Sequence, residues 1–314
     1  MSARTIFFGT PEFAVPTLRA LAASEFRPEL VVSQPSRPAR RGQKMTEPAV
    51  VEAARELAIP FQQIEKVRHP DFVAQVAASR PDFIVVVAFG QIFPKPLLDV
   101  PRFGCVNLHG SLLPRWRGAA PIQAAVAAGD ATTGVTTMLM GEGLDSGPML
   151  LRAETAIGQH ESAGELFARL ADLGAPLVVE TLRRLHAGTI HPEEQDGARV
   201  TIAPKIRKER ARTRWDLPAS TLDRTIRAFQ PWPGAELPFG EEWIKVLAAQ
   251  LDTAAVPTAA SPGTVLGIER ERLLIRAGDD SVLAVLRAQR AGRGPVSGGE
   301  LARALGLAQS DRLA

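Results

Sequence analysis

The stretch "CVNLHGSLLP", residues 105–114, carries an amide and an imidazole two positions apart. The side chains of Asn107 and His109 would point to the same face of an extended strand, because successive strand residues alternate between the two faces. An amide N–H can hold a developing oxyanion, and an imidazole can accept or donate a proton near neutral pH. The pair therefore predicts a hydrogen-bonding and proton-transfer site at the end of a strand.

A carboxylate that could complete this site lies in "GEGLDSGPM", residues 141–149. Asp145 stands in a glycine-rich turn, where the backbone can approach a ligand closely and a carboxylate can orient an imidazole. Spacing alone does not bring Asp145 to His109. A solvated histidine and a turn aspartate are the ordinary alternatives, so the residues by themselves leave Asn107, His109 and Asp145 as a hypothesis.

The surrounding elements alternate between strand and helix patterns over residues 1–190. "DFIVVVAF" (82–89) is a continuous apolar run, as is typical of a parallel strand buried on both faces. Strands separated by helices predict right-handed crossovers and an α/β fold with a doubly wound, mostly parallel sheet. Ligands of such sheets bind beyond the carboxyl ends of the strands, which is where residues 107–109 would lie.

Three local signals predict where a helix starts, where another is interrupted, and which nucleotide-binding motifs are absent. Thr10 followed by Pro11 predicts an N-cap for a helix that runs to about Ala23. In a long helical stretch from residue 162, Gly174 and Pro176 predict a kink or a break. The first strand–turn–helix has one glycine, so neither the G-x-G-x-x-G fingerprint of a dinucleotide site nor a P-loop is expected.

The pattern changes near residue 191. Residues 191–206 have no sustained helical period and predict a linker. A helical stretch over 218–229 and short runs such as "RLLIRA" follow, which predict a small β-barrel or sandwich. We therefore expect a catalytic domain over 1–190, a linker over 191–206 and a C-terminal domain over 207–314.

Composition excludes several classes of protein. The 314 residues include 45% hydrophobic and 23% charged side chains, as is ordinary for a globular protein. No apolar run is long enough to span a membrane, and the N-terminus does not resemble a secretory signal. The lone cysteine, Cys105, excludes an internal disulfide framework and a cysteine-rich zinc site. A cytoplasmic protein without a metal is expected.

Two short cationic runs suit a polyanionic partner. "SRPARRGQK" (36–44) has four cations and no acid, and "KIRKERARTR" (205–214) has a single acid. Solvated loop charge is the alternative for either run alone. Pro35, Pro38 and Gly42 predict that the first run lies outside regular secondary structure.

Several segments together resemble the methionyl-tRNA formyltransferases over nearly the full length of the chain. The N-x-H motif at 107–109 and the later D-S-G at 145–147 are shared by 10-formyltetrahydrofolate transferases more widely. The run at 36–44, "SLLPRWRGAAPIQ" (111–123) and "AFQPWPGA" (228–235) narrow the resemblance to the tRNA enzymes. The resemblance implies a formyltransferase-type, Rossmann-like catalytic domain followed by a small OB-like β-barrel that binds tRNA.

The reaction that the resemblance implies is the transfer of formyl from 10-formyltetrahydrofolate to the amino group of methionyl initiator tRNA, for translation initiation. Asn107 and protonated His109 would stabilise the tetrahedral oxyanion, and Asp145 would hold the imidazole and help relay the amine's proton through water to the folate nitrogen. Folate is then a substrate, no metal is needed, and a monomer without an obligate protein partner is expected.

The resemblance also implies two binding surfaces. Plain core packing is the alternative for Leu112, Leu113 and Ile92. The residues expected to contact folate are Phe89, Gly90, Ile92, Ser111, Leu112, Leu113 and Pro114. Those expected to contact tRNA are Arg37, Arg40, Arg41, Lys44, Lys205, Arg207, Lys208 and Arg210.

Two other functions stay open. A formyltransferase acting on a small-molecule amine, such as a purine precursor or an amino sugar, would share Asn107, His109 and Asp145 but would not need the basic loop or a barrel. An inert RNA-binding protein could keep the same fold, although the intact set of three residues argues against it.

Overall fold

The computed structural model describes residues 3–39, 44–257 and 260–313. They form two compact units. The first unit contains the chain up to Pro121, Thr132–Ala156 and Phe167–Pro204, and the second contains Ile122–Ala131, Ile157–Leu166 and the chain from Lys205 onward. This division does not test the domain limits expected from the sequence, which stay predictions.

The first unit alternates strands and helices, as the sequence predicts. Its strands are β1 (Thr5–Gly9), β2 (Pro28–Ser33), β3 (Arg37–Ala39), β4 (Lys44–Thr46), β5 (Phe61–Gln63), β6 (Phe83–Val87), β7 (Cys105–His109), β8 (Arg117–Gly118), β9 (Thr132–Leu139), β10 (Met149–Ala156) and β11 (Ile202–Ala203). The helices are α1 (Val15–Ala22), α2 (Ala49–Glu56), α3 (Pro70–Ala78), α4 (Lys95–Leu98), α5 (Pro121–Ala128) and α6 (Ala163–Ala187), of which α5 and α6 cross the limits of the unit.

Seven strands form one mixed sheet in the order β10-β9-β7-β6-β1-β2-β5. The strands β5, β2, β1, β6 and β7 are parallel, while β9 is antiparallel to both β7 and β10. The chain leaves β1 first toward β2 and β5 and later returns to the other side through β6. The predicted doubly wound, mostly parallel sheet is confirmed, and its topological switch point lies between β1 and β6.

The core of this unit follows from the apolar runs. Every residue of β1 and β6 is buried, as expected for central parallel strands with helices on both faces. Phe8 of β1 meets the rings of Phe72, Phe89 and Phe93 edge-on, at centroid distances of 6.2, 5.3 and 5.0 Å. These contacts fix the loop after β6 against the sheet.

Of the predicted kink or break in the long helix, the break is wrong, because α6 is continuous from Ala163 to Ala187, and the kink stays a prediction. Gly174 serves close packing instead: a Cβ there would lie 2.5 Å from Cδ2 of Leu108 in β7. Burial of an apolar face against the sheet offsets the hydrogen bond that Pro176 cannot donate. The helix thus lies directly on the strand that carries Asn107 and His109.

Thr10 is not an N-cap, so that prediction is also wrong. A 3-10 turn, Glu12–Ala14, precedes α1, and neither element has a side-chain cap. The Thr10 hydroxyl instead donates to the carbonyl oxygen of Phe89, and it accepts from the backbone N–H of Gln34. It connects the ends of three strands rather than starting a helix.

The first basic run contains regular structure, contrary to the prediction. Strands β3 and β4 pair antiparallel, with Pro38 opposite Met45. A two-stranded ribbon leaves one side of each strand unpaired, so a proline is tolerated there.

The second unit contains a helix, an antiparallel sheet and a final helix. Its elements are α7 (Ala219–Ala228), β12 (Ala235–Phe239), β13 (Glu242–Asp252), β14 (Val265–Ile268), β15 (Leu273–Arg276), β16 (Val282–Gln289), β17 (Val296–Ser297) and α8 (Gly298–Leu305). The sheet order is β12-β13-β16-β15-β14, and β17 pairs with β16. The predicted helix and short strands are confirmed, whereas closure into an OB-like barrel stays a prediction.

A buried tryptophan and a capped helix stabilise this second unit. Trp215 is 1% exposed and donates its indole N–H to the carbonyl oxygen of Pro238 at 2.7 Å. A capping box between Ser297 and Glu300 starts α8, and Gly306 in the left-handed conformation ends it.

Of the helices in the described part of the chain, none is both long and apolar enough to cross a membrane.

Candidate active site

The carboxyl ends of β1, β2 and β6 converge on the carbonyl oxygen of Phe89. Gln34 Nε2 donates to this oxygen at 2.6 Å, and the Thr10 hydroxyl donates at 3.4 Å. Gly90 has a φ of 81°, and a Cβ there would lie 2.9 Å from Gln34 Nε2, so glycine makes the contact sterically accessible. Side chains from two strand ends thus tie together the edge at which α/β sheets bind ligands.

Strand β7 brings Asn107 and His109 to the same edge and the same face. His109 is only 6% exposed, whereas Asn107 is half-buried. The Asn107 side-chain amide makes no hydrogen bond with any other residue that the structure describes. A partly exposed amide without a protein partner is available to a bound ligand.

The carbonyl oxygen of Trp116 fixes the His109 ring. The distance from Nε2 to this oxygen is 2.8 Å. A carbonyl oxygen only accepts, so Nε2 must carry a proton. The atom that can gain or lose a proton is therefore Nδ1.

Asp145 faces that second nitrogen. Its Oδ2 lies 3.7 Å from His109 Nδ1, and the two side chains are 19% and 7% exposed. The same Oδ2 accepts the backbone N–H of Gly118 at 2.8 Å. The distance to the ring is that of an ion pair rather than a direct hydrogen bond. Partial burial limits screening by salt between the carboxylate and the ring.

Buried polar contacts hold the loop between His109 and Trp116. Ser111 Oγ donates to the carbonyl oxygen of Arg115 at 2.6 Å. Thr136 Oγ1 donates to the Ser111 carbonyl at 2.7 Å and accepts from the Leu113 N–H at 3.1 Å. This network sets the position from which the Trp116 carbonyl meets the histidine.

Residues from a distant part of the chain complete the support. The Trp116 N–H donates to Thr201 Oγ1 at 2.8 Å, and Gln195 contacts both Arg117 and the backbone of Asp145. Sequence reasoning missed Thr136, Thr201 and Gln195. No local pattern marks them, because their partners lie 23 to 85 positions away.

The residues expected to contact folate divide into buried and exposed sets. The rings and chains of Phe89 and Leu113 lie in apolar clusters, and each is 1% exposed. Any folate contact of these two would therefore use backbone atoms. Ser111 and Pro114 are buried, Leu112 is half-buried and Gly90 is exposed. Ile92 is 84% exposed, so core packing is excluded for it.

Five of the residues expected to contact tRNA have a described side-chain burial, and all five are exposed. Arg37 is exposed at the start of β3, and Lys44 begins β4. Arg40 and Arg41 lie outside the described residues. The exposed cations of the second unit are Lys205, Arg207, Lys208 and Arg210.

A metal centre does not emerge from the described side chains. Within residues 3–39, 44–257 and 260–313, no three or more of the histidine, cysteine, aspartate and glutamate side chains are grouped so that they could hold an ion.

Comparison with known proteins covers both units. The family model described as "Formyl transferase" matches residues 3–182, and "Formyl transferase, C-terminal domain" matches residues 205–306. The crystal structure of WlaRD, a sugar 3N-formyl transferase, has a similar fold with a TM-score of 0.66. The identity is 15%, and the match covers 94% of this chain and 100% of WlaRD.

Two relatives are similar in sequence over most of both chains, and each is named methionyl-tRNA formyltransferase. The one from Pseudomonas fluorescens is 46% identical over 279 residues, 89% of this chain and 86% of the relative. The one from Pseudomonas savastanoi pv. phaseolicola is 46% identical over 298 residues, 95% of this chain and 93% of the relative. The chain is an enzyme of the formyl transferase family and belongs, within that family, to the methionyl-tRNA formyltransferases.

Proposed function

We propose that this site transfers the formyl group of 10-formyltetrahydrofolate to the α-amino group of methionyl initiator tRNA, giving N-formylmethionyl-tRNA and tetrahydrofolate. The observation that carries the proposal is the ring of His109, with Nε2 held by the Trp116 carbonyl and Nδ1 facing Asp145 at 3.7 Å. One ring nitrogen is fixed and the other is left for proton transfer.

The nucleophile is the neutral amine of the methionyl group, whose pKa of about 8 leaves a useful neutral fraction near pH 7. Its nitrogen forms a bond to the formyl carbon, and the carbonyl oxygen becomes an oxyanion. The side-chain amide of Asn107 donates to that oxygen, and His109 Nδ1, when protonated, supplies a second donor. One such donor contributes about 3 kcal/mol in related acyl-transfer sites.

Collapse of the intermediate breaks the bond between the formyl carbon and N10 of folate. The proton lost by the attacking amine passes through water to N10, so the leaving nitrogen departs neutral. Asp145 stabilises the imidazolium during this exchange, and Gly118 N–H keeps its carboxylate in place. No metal enters these steps.

The loop after β6, at the carboxyl edge of the sheet, suits a folate. A pterin is flat with amide-like edges, which suits exposed backbone near Gly90 and a neighbouring apolar side chain such as Ile92. The sugar formyl transferase WlaRD, which shares the fold, was crystallised in the presence of 5-N-formyl-THF. This likeness supports a formyl-folate donor for the present chain.

Exposed cations support a tRNA acceptor. Arg37 in the first unit and Lys205, Arg207, Lys208 and Arg210 in the second can neutralise phosphates. Closure of the sheet of the second unit into an OB-like barrel would suit the binding of a tRNA backbone. The proposal includes a monomeric enzyme in the cytoplasm, where charged tRNA is made.

Acceptor competition tests the proposal. Purified enzyme with 10-formyltetrahydrofolate should formylate charged initiator tRNA, and it should leave free methionine, glycinamide ribonucleotide and an amino-sugar nucleotide unmodified. Equal rates on any free small amine would instead establish a small-molecule formyltransferase. Tight tRNA binding without transfer would indicate an inert RNA-binding protein.

A further inference from the structure

Gln195 bridges the two loops that surround His109. Its Nε2 donates to the carbonyl oxygens of Asp145 at 2.8 Å and Gly147 at 2.7 Å. Its Oε1 accepts from Arg117 Nε at 2.9 Å. We propose that Gln195 is a positioning residue that holds Asp145 against His109, an inference that rests on the proposed function for its catalytic consequence.

The Asp145 loop needs such support. Asp145 has a φ of 45°, a left-handed conformation that costs free energy for a residue with a Cβ. Residues 141–144, which precede it, are exposed. Exposed backbone in a strained conformation persists only when neighbouring groups hold it, and the Gln195 amide binds the carbonyls on either side of Ser146.

The segment that carries Gln195 is itself fixed at both ends. Glu193 and Met149 exchange two backbone hydrogen bonds of 2.8 Å each. Residues 202–203 of β11 pair with 117–118 of β8, and a Cβ at Gly118 would lie 2.5 Å from the carbonyl oxygen of Ala203. A side chain on so constrained a segment can define the position of its partner.

The segment that contains Gln195 and Thr201 therefore binds the groups that face the two ring nitrogens of His109. Thr201 binds the N–H of Trp116, whose carbonyl holds Nε2. Gln195 binds the backbone of Asp145, whose carboxylate faces Nδ1. Both residues lie between the ranges that the two family models match, 3–182 and 205–306.

Activity measurements separate positioning from general stabilisation. Gln195→Ala should lower kcat by roughly 10- to 100-fold, with KM for the formyl donor unchanged, because displacement of a catalytic group by about 1 Å has this effect. In an Asp145→Ala background the same substitution should lower kcat no further. The control is Glu194→Ala, which alters the exposed preceding residue and should leave kcat unchanged.

A second readout does not depend on the substrate. The Gly118 N–H donates to Asp145 Oδ2, so its hydrogen exchange reports whether that carboxylate is in place. Exchange at Gly118, measured by NMR in the substrate-free enzyme, should accelerate in Gln195→Ala and not in Glu194→Ala. Gln195→Glu keeps the side-chain length and an acceptor for Arg117 but lacks the two donors, so it should behave as Gln195→Ala does.

The outcomes are distinct. Parent enzyme that is inactive on charged tRNA contradicts the proposed function, and the Gly118 exchange then decides the positioning role alone. An equal loss of kcat in the parent and Asp145→Ala backgrounds would assign Gln195 a general structural role and overturn the inference. Unchanged exchange at Gly118 in both Gln195 variants would overturn it as well.

Discussion

His109 and Trp116 are joined by a hydrogen bond of 2.8 Å from the ring Nε2 to a main-chain carbonyl. The proton on Nε2 is held in this hydrogen bond, so proton transfer by the ring is confined to Nδ1. Because the partner is a backbone atom, the tautomer depends on the path of the loop and not on the tryptophan side chain.

Replacement of the imidazole should stop the reaction without releasing the acceptor. We expect His109→Ala to lower kcat by about 10³-fold or more, since the variant lacks both a donor to the oxyanion and the proton-transfer group. The Kd for charged tRNA, measured by filter binding, should change little. A normal kcat in this variant would contradict the mechanism.

Thr201 should affect the same ring from a distance. Thr201→Val keeps the shape of the side chain but removes the hydroxyl that accepts the hydrogen bond of the Trp116 N–H. We expect a loss of about 1–3 kcal/mol in the free energy of unfolding and a lower kcat. Thr201→Ser retains the hydroxyl and should keep most of both, as measured by denaturant titration and steady-state kinetics.

Two glycines of one loop should differ in their tolerance of alanine. A Cβ at Gly147 would lie 1.8 Å from the carbonyl oxygen of Leu139, whereas a Cβ at Gly141 meets nothing within 4 Å. Gly147→Ala should therefore displace the Asp145 loop, lowering both kcat and the unfolding midpoint. Gly141→Ala should leave both near parent values. Similar losses in the two variants would show that loop flexibility, and not close packing, is what glycine provides here.

Cys105 should be inert toward thiol reagents in the folded enzyme. It is 2% exposed, and burial raises the pKa of its thiol to about 12. The reactive thiolate is therefore scarce near pH 8. Iodoacetamide should label the native enzyme very slowly and the guanidinium-unfolded enzyme rapidly, as followed by mass spectrometry.

The same shift predicts how stability depends on pH. The unfolded thiol ionises at about pH 8.5, well below the folded one. The stabilisation that it contributes is complete below that pH, and it is lost progressively as the pH rises toward about 12. Cys105→Ala should flatten this alkaline part of the unfolding curve, and an unchanged slope would contradict the assignment.

The basic run at the start of the second unit should govern tRNA affinity. Lys208→Ala removes an exposed cation and should raise the Kd for charged tRNA several-fold, with KM for the formyl donor unchanged. The slope of log Kd against log salt should fall by about 1 for each phosphate that the variant no longer neutralises. Arg68→Ala, which removes an exposed cation of the first unit, is the control and should change neither quantity.

Local signals predicted the elements of the sheet well. Strand β7 ends at His109 and pairs with the buried parallel strand β6, so Asn107 and His109 stand at the end of a strand, as predicted. Thr10 misled because a threonine before a proline is a common helix start, whereas here the hydroxyl binds a carbonyl 79 positions away. The helix through Gly174 and Pro176 likewise depends on packing against Leu108, which no local pattern contains.

The sequence predicted the residues that could do chemistry at the site, but not the residues that hold them in position. Asn107, His109 and Asp145 could be proposed from residue types and resemblance, and the structure brings His109 and Asp145 together. Their catalytic roles stay predictions. The Trp116 carbonyl carries no signature in the sequence, since every residue has one. Gln195 lies in a stretch without periodicity, and its function depends on contacts made 48 to 78 positions away.

The pairing of β11 with β8 has a practical consequence for anyone who wishes to express the first unit alone. A chain that stops at residue 190 would lack Gln195, Thr201 and the β11 strand, and with them the hydrogen bonds to the loops on either side of the histidine. A truncation after Pro204 keeps all of them. The choice of stop codon would thus decide whether the fragment retains ordered loops around the histidine or only its sheet.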